Sequence, residues 1–253
     1  MRQAEMRPQK QSPKMIQPNT DLPEGSTSNY DGYSVWKNWN DFFRFSADDS
    51  SYFAKEVPAM SLKGKEVLEI GFGEGRFLAW AQARGAGVAG MELDSRSLAA
   101  ADAAGIALVT DIEAHSAAHQ DRYALIAAFD VFEHLTLSQI EAHLVAIAKL
   151  LEPGGVLILR YPNGQSPFGL SPQNGDVTHI TALSQAKIDQ LAQPLGFVTE
   201  RYAGSAMPQG RGIVRLRRAI IRGLRRLVGR LLNALFNVEI IWDSVVTQVL
   251  RKA

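Results

Sequence analysis

From Lys65 onward, short apolar runs rich in β-branched residues alternate with longer stretches whose apolar positions recur every three or four residues. The alternation predicts strand, helix, strand in succession, the pattern of a parallel sheet covered by helices on both faces. Strands are expected at Glu66–Ile70, Gly87–Glu92, Ala107–Thr110, Tyr123–Ala128 and Val156–Arg160. The clearest helix is Leu137–Leu151, where Ile140, Leu144, Ile147 and Leu151 are spaced by four, three and four, and Pro153-Gly154-Gly155 halts it. A later helix is expected over about Ser184–Leu195, ending at Gly196. Phe197–Tyr202 and Ser244–Leu250 add two strands, for about seven in all.

Before this pattern begins, residues 1–28 carry Pro8, Pro13, Pro18 and Pro23 among polar residues, with almost nothing to bury, and are expected to be a disordered tail. Residues 29–56 form an aromatic cap: nine of the 21 aromatics lie between Tyr30 and Phe53, and their early spacing of three suggests helical turns. Such a block is either a leading helix packed on the core or a lid over a substrate pocket. The remainder, residues 57–253, reads as one α/β domain with a basic helical insertion at 211–236.

Composition narrows the chemistry. At 253 residues and 46% hydrophobic, the chain can bury a substantial core. The absence of cysteine excludes disulfides, thiolate metal sites and cysteine nucleophiles. No apolar run approaches the roughly 18 to 20 residues of a membrane span, and Met1–Pro18 has no apolar signal core. A cytoplasmic protein is the expectation.

The turn after the first strand is Glu69-Ile70-Gly71-Phe72-Gly73-Glu74-Gly75-Arg76. Glycines at alternate positions let a backbone turn sharply and approach a ligand closely. A dinucleotide fingerprint requires Gly-x-Gly-x-x-Gly, but Arg76 stands at the last of those positions, and Glu74 would repel a pyrophosphate. A nucleoside with a positive centre and no phosphates suits the loop better, because Glu69 can counter an ammonium group. Glu92, at the end of the second strand, is placed to take ribose hydroxyls. Asp111, at the end of the third, can accept an adenine amine with Ile112 against the ring.

These residues, with Asp130-Val131-Phe132-Glu133-His134, resemble the class I methyltransferases that use S-adenosylmethionine. The resemblance runs from about Phe53 to Phe197 and, after a gap, to the C-terminus. It implies a Rossmann-like seven-stranded sheet in the order 3-2-1-4-5-7-6 with strand 7 antiparallel. It also implies Glu69 near the methionine end, Gly71, Gly73 and Gly75 along the methionine and ribose, and Asp130 among the cofactor-binding residues. Tyr161-Pro162-Asn163 with Asp176-x-Thr178-His179 further resembles a bacterial subgroup associated with glycan, lipid-linked or small-molecule hydroxyls.

Methyl transfer to an aliphatic hydroxyl calls for a base or a metal, since the hydroxyl is a poor nucleophile at neutral pH. Three readings of the histidines stand side by side. His179, positioned by Asp176, is a general base, with His134 close by. Alternatively, Asp130, Glu133, His134 and His179 hold a divalent cation, as the similarity of Asp-x-x-Glu-His to the Glu-x-x-Glu-His pattern of metal-assisted O-methyltransferases suggests; Asp130 departs from that pattern. In the third, Glu133 and His134 only cap the next helix. His115, His119 and His143 read as surface residues.

The net charge of +1 is unevenly spread: ten of the 27 basic residues follow Gly210, against only Glu239 and Asp243, leaving 17 basic and 24 acidic residues before them. Ile213, Leu216, Ile220, Leu224, Leu227, Leu231 and Leu235 form one helical stripe, and Arg211, Arg215, Arg218, Arg222, Arg225, Arg226 and Arg230 the other face. The expected partner is an anionic membrane surface at the inner face, a second subunit or the chain's own domain; nucleic acid suits so apolar a stripe poorly. The functional expectation is methyl transfer to an oxygen of a small-molecule, glycan or lipid-linked acceptor. An RNA 2′-O-methyltransferase and a non-catalytic S-adenosylmethionine-binding regulator are the alternatives.

Overall fold

The structure, a computed structural model, describes residues 37–207 and 212–253. The expected disordered tail, Tyr30, Tyr33, Trp36 and Arg211 lie outside the described residues. The sheet order is β3-β2-β1-β4-β5-β7-β6. Its strands are β1 (Glu66–Ile70), β2 (Gly87–Met91), β3 (Ala107–Leu108), β4 (Tyr123–Phe129), β5 (Leu151–Pro162), β6 (Phe197–Gly204) and β7 (Val245–Lys252). Pairing is parallel from β3 across to β5, and β7 runs antiparallel to both β5 and β6.

Helices α1 (Ala47–Glu56), α2 (Arg76–Gln82), α3 (Ser95–Ala103), α4 (Ile112–Ala118), α5 (Leu137–Leu150), α6 (Leu170–Asn174), α7 (Gln185–Ala192) and α8 (Gly212–Phe236) surround the sheet. The strand period of two sends alternate residues to opposite faces. Leu68, Ile126 and Leu157 join the core under α5 and α7, while Val67, Leu125 and Ile158 meet Tyr52, Phe53, Phe77 and Trp80 of α1 and α2. Two faces buried this way explain the near-continuous apolar strands.

Local chemistry sets most element ends. Ser46 and Asp49 form a capping box at the start of α1, and Thr136 with Gln139 does the same for α5. Gly196, at φ +85°, closes the turn after α7. Three expectations need correcting. Trp39–Phe45 is not helical: Asn38 and Phe43 adopt left-handed φ values of 55° and 52°, and the helix starts only at the Ser46 cap. Pro153-Gly154-Gly155 does not separate α5 from its strand; β5 begins at Leu151, directly after the helix, and includes all three. The third strand stops at Leu108, so Asp111 lies beyond it.

Candidate active site

The parallel strands end on one side of the sheet around a cavity of about 720 Å³, within the size range of small-molecule sites. The glycine loop forms its floor. Gly71, Gly73 and Gly75 have φ values of 69°, 52° and 69°, the left-handed region that glycine alone enters without strain. Space is as tight as the backbone: a Cβ on Gly71 would overlap Val131 Cγ2, and one on Gly75 would overlap the Phe43 ring. The Gly71 amide donates to the Met91 carbonyl at 2.7 Å, tying the loop to β2.

Glu92 follows β2 and holds the loop from the other side. Its carboxylate accepts the amides of Gly73 (2.7 Å), Leu93 (2.7 Å) and Asp94 (3.1 Å). A carboxylate offers about four lone-pair positions, so this anchoring leaves acceptor capacity toward the cavity that Glu92 lines. Asp94 instead caps α3 through the Ser97 amide.

Glu69 lies at the C-terminal end of β1 on the face it shares with Val67. It lines the cavity, is 4% exposed, and its Oε2 has no hydrogen-bond partner among the described residues. Burial, with the charge of Glu92, pushes its carboxyl well above the usual range, despite Arg160 and the Leu78 amide. A cationic amine beside it would supply the missing partner and favour the carboxylate.

The segment before α1 folds over this loop. A Cβ on Gly73 would lie 2.9 Å from Cζ2 of Trp39. Glu74 clamps the segment by accepting the Asn40 and Asp41 amides (2.9 and 3.1 Å) and, through its backbone carbonyl, the Phe43 amide (2.7 Å). Within residues 37–56, Trp39 and Phe43 thus cover the loop while Tyr52 and Phe53 pack into the core.

Asp111 and Ile112 stand apart from the cavity lining. Asp111 caps α4 by accepting the amides of Glu113 (2.8 Å) and Ala114 (3.0 Å), and Ile112 is buried in the core.

A second group of side chains forms where β4 and β5 end. Asp130, at φ +57°, turns the chain so that its carboxylate pairs in bidentate fashion with Arg160 of β5, Nε to Oδ1 at 2.8 Å and Nη2 to Oδ2. Arg160 also donates to the Tyr52 hydroxyl at 2.6 Å. Burial opposes its charge, but Asp130 and Tyr52 outweigh that and hold the guanidinium pKa above its ordinary value. Asp130 is therefore engaged as the partner of an arginine.

Behind it, Glu133 is completely buried, and neither carboxylate oxygen has a hydrogen-bond partner among the described residues. Burial and the charge of Asp130 push its carboxyl well above the usual range. Its backbone carbonyl accepts the Ile180 and Thr181 amides (2.9 and 3.0 Å), which bring the loop after β5 alongside.

That loop delivers Asp176, Thr178 and His179. The His134 Nδ1 lies 2.9 Å from Thr178 Oγ1 and 3.3 Å from the Thr178 carbonyl. Thr178 donates its hydroxyl to Asp176 at 2.5 Å. A carbonyl only accepts and the threonine proton is committed to Asp176, so His134 carries its proton on Nδ1 and its lone pair on Nε2. Burial and the neighbouring His179 lower the His134 pKa. Burial would raise Asp176, but both Thr178 donors, with His179 and Lys37, hold it below its ordinary value.

The His179 ring stands nearly perpendicular to that of His134, at 4.6 Å between centroids. Its Nε2 is 4.0 Å from Glu133 Oε1 and 3.9 Å from Asp176 Oδ2. His134 lines the cavity; His179 does not. Glu133, His134 and His179 offer ligand atoms within 4.8 Å of one another, a set that omits Asp130. Neither Glu133 nor His134 caps α5, since Thr136 and Gln139 do so.

Several residues of the site had no sequence signal. Arg160 and Tyr52 approach only through strand pairing and α1 packing, and Lys37 reaches Asp176 at 3.7 Å across the fold. His143, expected to be a surface residue, lines the cavity. Thr178 could have been found, since it lies inside the Asp-x-Thr-His run.

A sheet ordered 3-2-1-4-5-7-6, with a glycine loop and carboxylates at the ends of its first two strands, defines a class I S-adenosylmethionine-dependent methyltransferase. The unpartnered Glu69 oxygen, the glycine cradle and Glu92 fit that cofactor. Residues 43–202 match the family described as "Methyltransferase domain", and the chain belongs to that family.

A methyltransferase structure from Archaeoglobus fulgidus, described as SAM-dependent, superposes with a TM-score of 0.62 at 16% identity, covering 87% of this chain and 99% of that one. The Burkholderia thailandensis 1,6-didemethyltoxoflavin-N1-methyltransferase, solved with S-adenosylhomocysteine, gives 0.55 at 14% identity over 92% and 93% of the two chains. Among curated proteins, the ubiquinone biosynthesis O-methyltransferase of Azoarcus sp. (strain BH72) is 30% identical over 103 residues. That match takes in 38% of this chain and 43% of the relative, so it spans less than half of the relative's length.

Proposed function

We propose that this methyltransferase acts on a hydroxyl oxygen of a small-molecule, glycan or lipid-linked acceptor, with His134 as the general base. When bound, S-adenosylmethionine would supply a sulfonium methyl for in-line attack by a nucleophile, with the demethylated cofactor as the neutral thioether leaving group. The chain's own part is to align the two reactants and to remove one proton. The lone pair of His134 Nε2 takes the hydroxyl proton as the oxygen–methyl bond forms. Thr178 and Asp176 fix the tautomer and steady the imidazolium that results. His179, with Asp176, supports the His134 ring from behind as a positioning residue.

The observation that carries this reading is the Asp176–Thr178–His134 chain of hydrogen bonds, which ends on a wall of the cavity that Glu69, Gly71 and Glu92 also line. An aliphatic hydroxyl is a poor nucleophile at neutral pH and calls for such a base. The O-methyltransferase named among the curated relatives agrees with an oxygen acceptor. The test uses radiolabelled methyl transfer to a panel of aliphatic alcohols, beginning with glycerol. His134→Ala should lower turnover by about 10²- to 10⁴-fold while cofactor affinity, read by calorimetry, stays unchanged. Equal turnover in the variant would refute the base.

One observation favours a second form of the same reaction. A fully buried carboxyl without a hydrogen-bond partner among the described residues, beside two imidazoles, is a donor set that a divalent cation would satisfy. Glu133, His134 and His179 would hold the cation, which would polarise the acceptor oxygen. Glu69, Gly71, Gly73, Gly75 and Glu92 retain their cofactor roles in both forms. Asp111 and Ile112 would complete the adenine end, acting from the start of α4.

A further inference from the structure

Helix α8 departs from the rim of the cavity and returns to it. Ser205 and Ala206, directly after β6, line the cavity, as does Val245 at the start of β7. One side of the helix is fastened to the body. Arg225 pairs with Asp243 at 3.8 Å, Gly229 gives the Trp242 ring room to approach, and the Trp242 Nε1 donates to Asn233 Oδ1 at 2.7 Å. The charges of Arg222 and Arg215 reach Lys55 at the end of α1.

The fastened stripe is polar, which turns the apolar one outward. Ile213, Leu216, Ile220, Leu224, Leu227, Leu231 and Leu235 are 54 to 77% exposed, and no residue of the helix is buried. A row of seven large apolar side chains along 25 residues of helix is far beyond the scattered surface leucines of a soluble face. The helix holds seven arginines and no acidic residue. At 100° per residue Arg217 falls at one edge of the apolar row, level with Leu235, and Arg230 lies just beyond the other edge. This combination of a leucine face bordered by cations is complementary to a surface that is apolar inside and anionic outside. No helix among the described residues is long and apolar enough to cross a membrane.

A second exposed apolar patch lies at the same end of the sheet. The loop that carries Thr178 and His179 also exposes Phe168, Leu170, Val177 (95%) and Ile180. It is tied to the root of α8, because Asn163 donates to the Ile241 and Asp243 carbonyls and Ser166 to that of Trp242.

We propose that α8 is an interfacial helix that seats the cavity mouth on an anionic bilayer. Its outward row of leucine and isoleucine enters the headgroup boundary by about 5 to 10 Å, and the flanking arginines contact lipid phosphates. Of the acceptor classes in the proposed reaction, on which this inference rests, the lipid-linked hydroxyl is the one such seating serves. The bilayer would present it to the end of the sheet where the cavity opens and both apolar patches lie.

Vesicle flotation of the full chain tests this without any turnover. The chain should float with vesicles of phosphatidylcholine and phosphatidylglycerol, less so with phosphatidylcholine alone, and less so at high salt. Replacing Leu224, Leu227 and Leu231 together by Glu should cut the floated fraction by about tenfold or more. Circular dichroism and cofactor calorimetry on that variant should match the parent, since the three side chains are exposed. Arg217→Gln with Arg226→Gln and Arg230→Gln should abolish the preference for anionic vesicles.

Failure of the parent chain to float, or equal flotation of the leucine variant, would overturn the proposal. A parent dimer in light scattering, broken by the leucine variant in the absence of any vesicle binding, would assign the row to a second copy and overturn it equally. Methylation of a soluble hydroxyl by a chain that never floats would leave the reaction standing and remove the membrane.

Discussion

The cofactor side of the cavity and the side opposite it are built by different means. On the β1–β2 side, backbone geometry does the shaping: three left-handed glycines, a strand end and a carboxylate that accepts three amides within a short stretch of chain. On the β4–β5 side, side chains from well-separated segments converge: Asp130 on Arg160, His134 on Thr178 and Asp176, and Glu133 beside His179 with no hydrogen-bond partner for its carboxylate among the described residues. The first arrangement is rigid because each group is held by its near neighbours. The second depends on the tertiary fold to bring its members together, while each side keeps a buried carboxylate oxygen without a hydrogen-bond partner among the described residues, on Glu69 and on Glu133, a cost that marks functional sites.

The strongest test of this contrast is a single methyl group on the rigid side. Gly71→Ala places a side chain in left-handed backbone against Val131 and should abolish cofactor binding in calorimetry while lowering stability by about 1 to 3 kcal/mol in urea unfolding. Retained binding would show that the loop adapts.

A smaller effect is expected on the convergent side. Thr178→Val breaks the link between His134 and Asp176, and turnover should fall by about 10- to 100-fold with cofactor affinity intact. The base must be neutral to act, and burial with His179 lowers the His134 pKa beneath 6.5. In the parent chain kcat/KM should therefore be level through neutral pH and decline only as pH falls past that lowered value. A profile that declines already above pH 7 would point to a different group.

The smallest effects should separate the two buried acids. Glu69 and Glu133 both have folded-state pKa values raised above the ordinary range, so folding favours their protonated forms. Stability is then lost as pH rises above the unfolded value of about 4.3. Glu69→Gln and Glu133→Gln should each raise the cofactor-free Tm at pH 7, and the gain should vanish near pH 4. Only Glu69→Gln should weaken cofactor binding. Only Glu133→Gln should remove any rise in Tm produced by added Mn²⁺.

The same contrast explains what was legible beforehand. The period-two strands and the capped helices follow from local pattern, so β1 and α5 fall within a residue of where periodicity puts them. The grouping of Glu69, Gly71, Gly73 and Glu92 at one end of the sheet was readable because it follows from position along one short segment. Thr178 as the intermediary of His134, Arg160 as the partner of Asp130 and Tyr52, and the retreat of His179 behind His134 come from packing between segments. Asp111 was misplaced because its capping of α4 ends the third strand early, a local competition between strand and helix start that apolar periodicity does not resolve. The turns at Asn38 and Phe43 defeated a helical spacing of three, since left-handed backbone at non-glycine residues leaves no mark in the pattern.

The pairing of β6 has an implication for how the molecule assembles. This strand ends the sheet order and its sole sheet neighbour is β7, yet residues 205–244 lie between the two. During translation β6 must wait, with its edge unpaired, until the entire helical excursion has emerged and β7 can slot between β5 and β6. Closing so long a loop late slows maturation and lengthens exposure of a sticky edge.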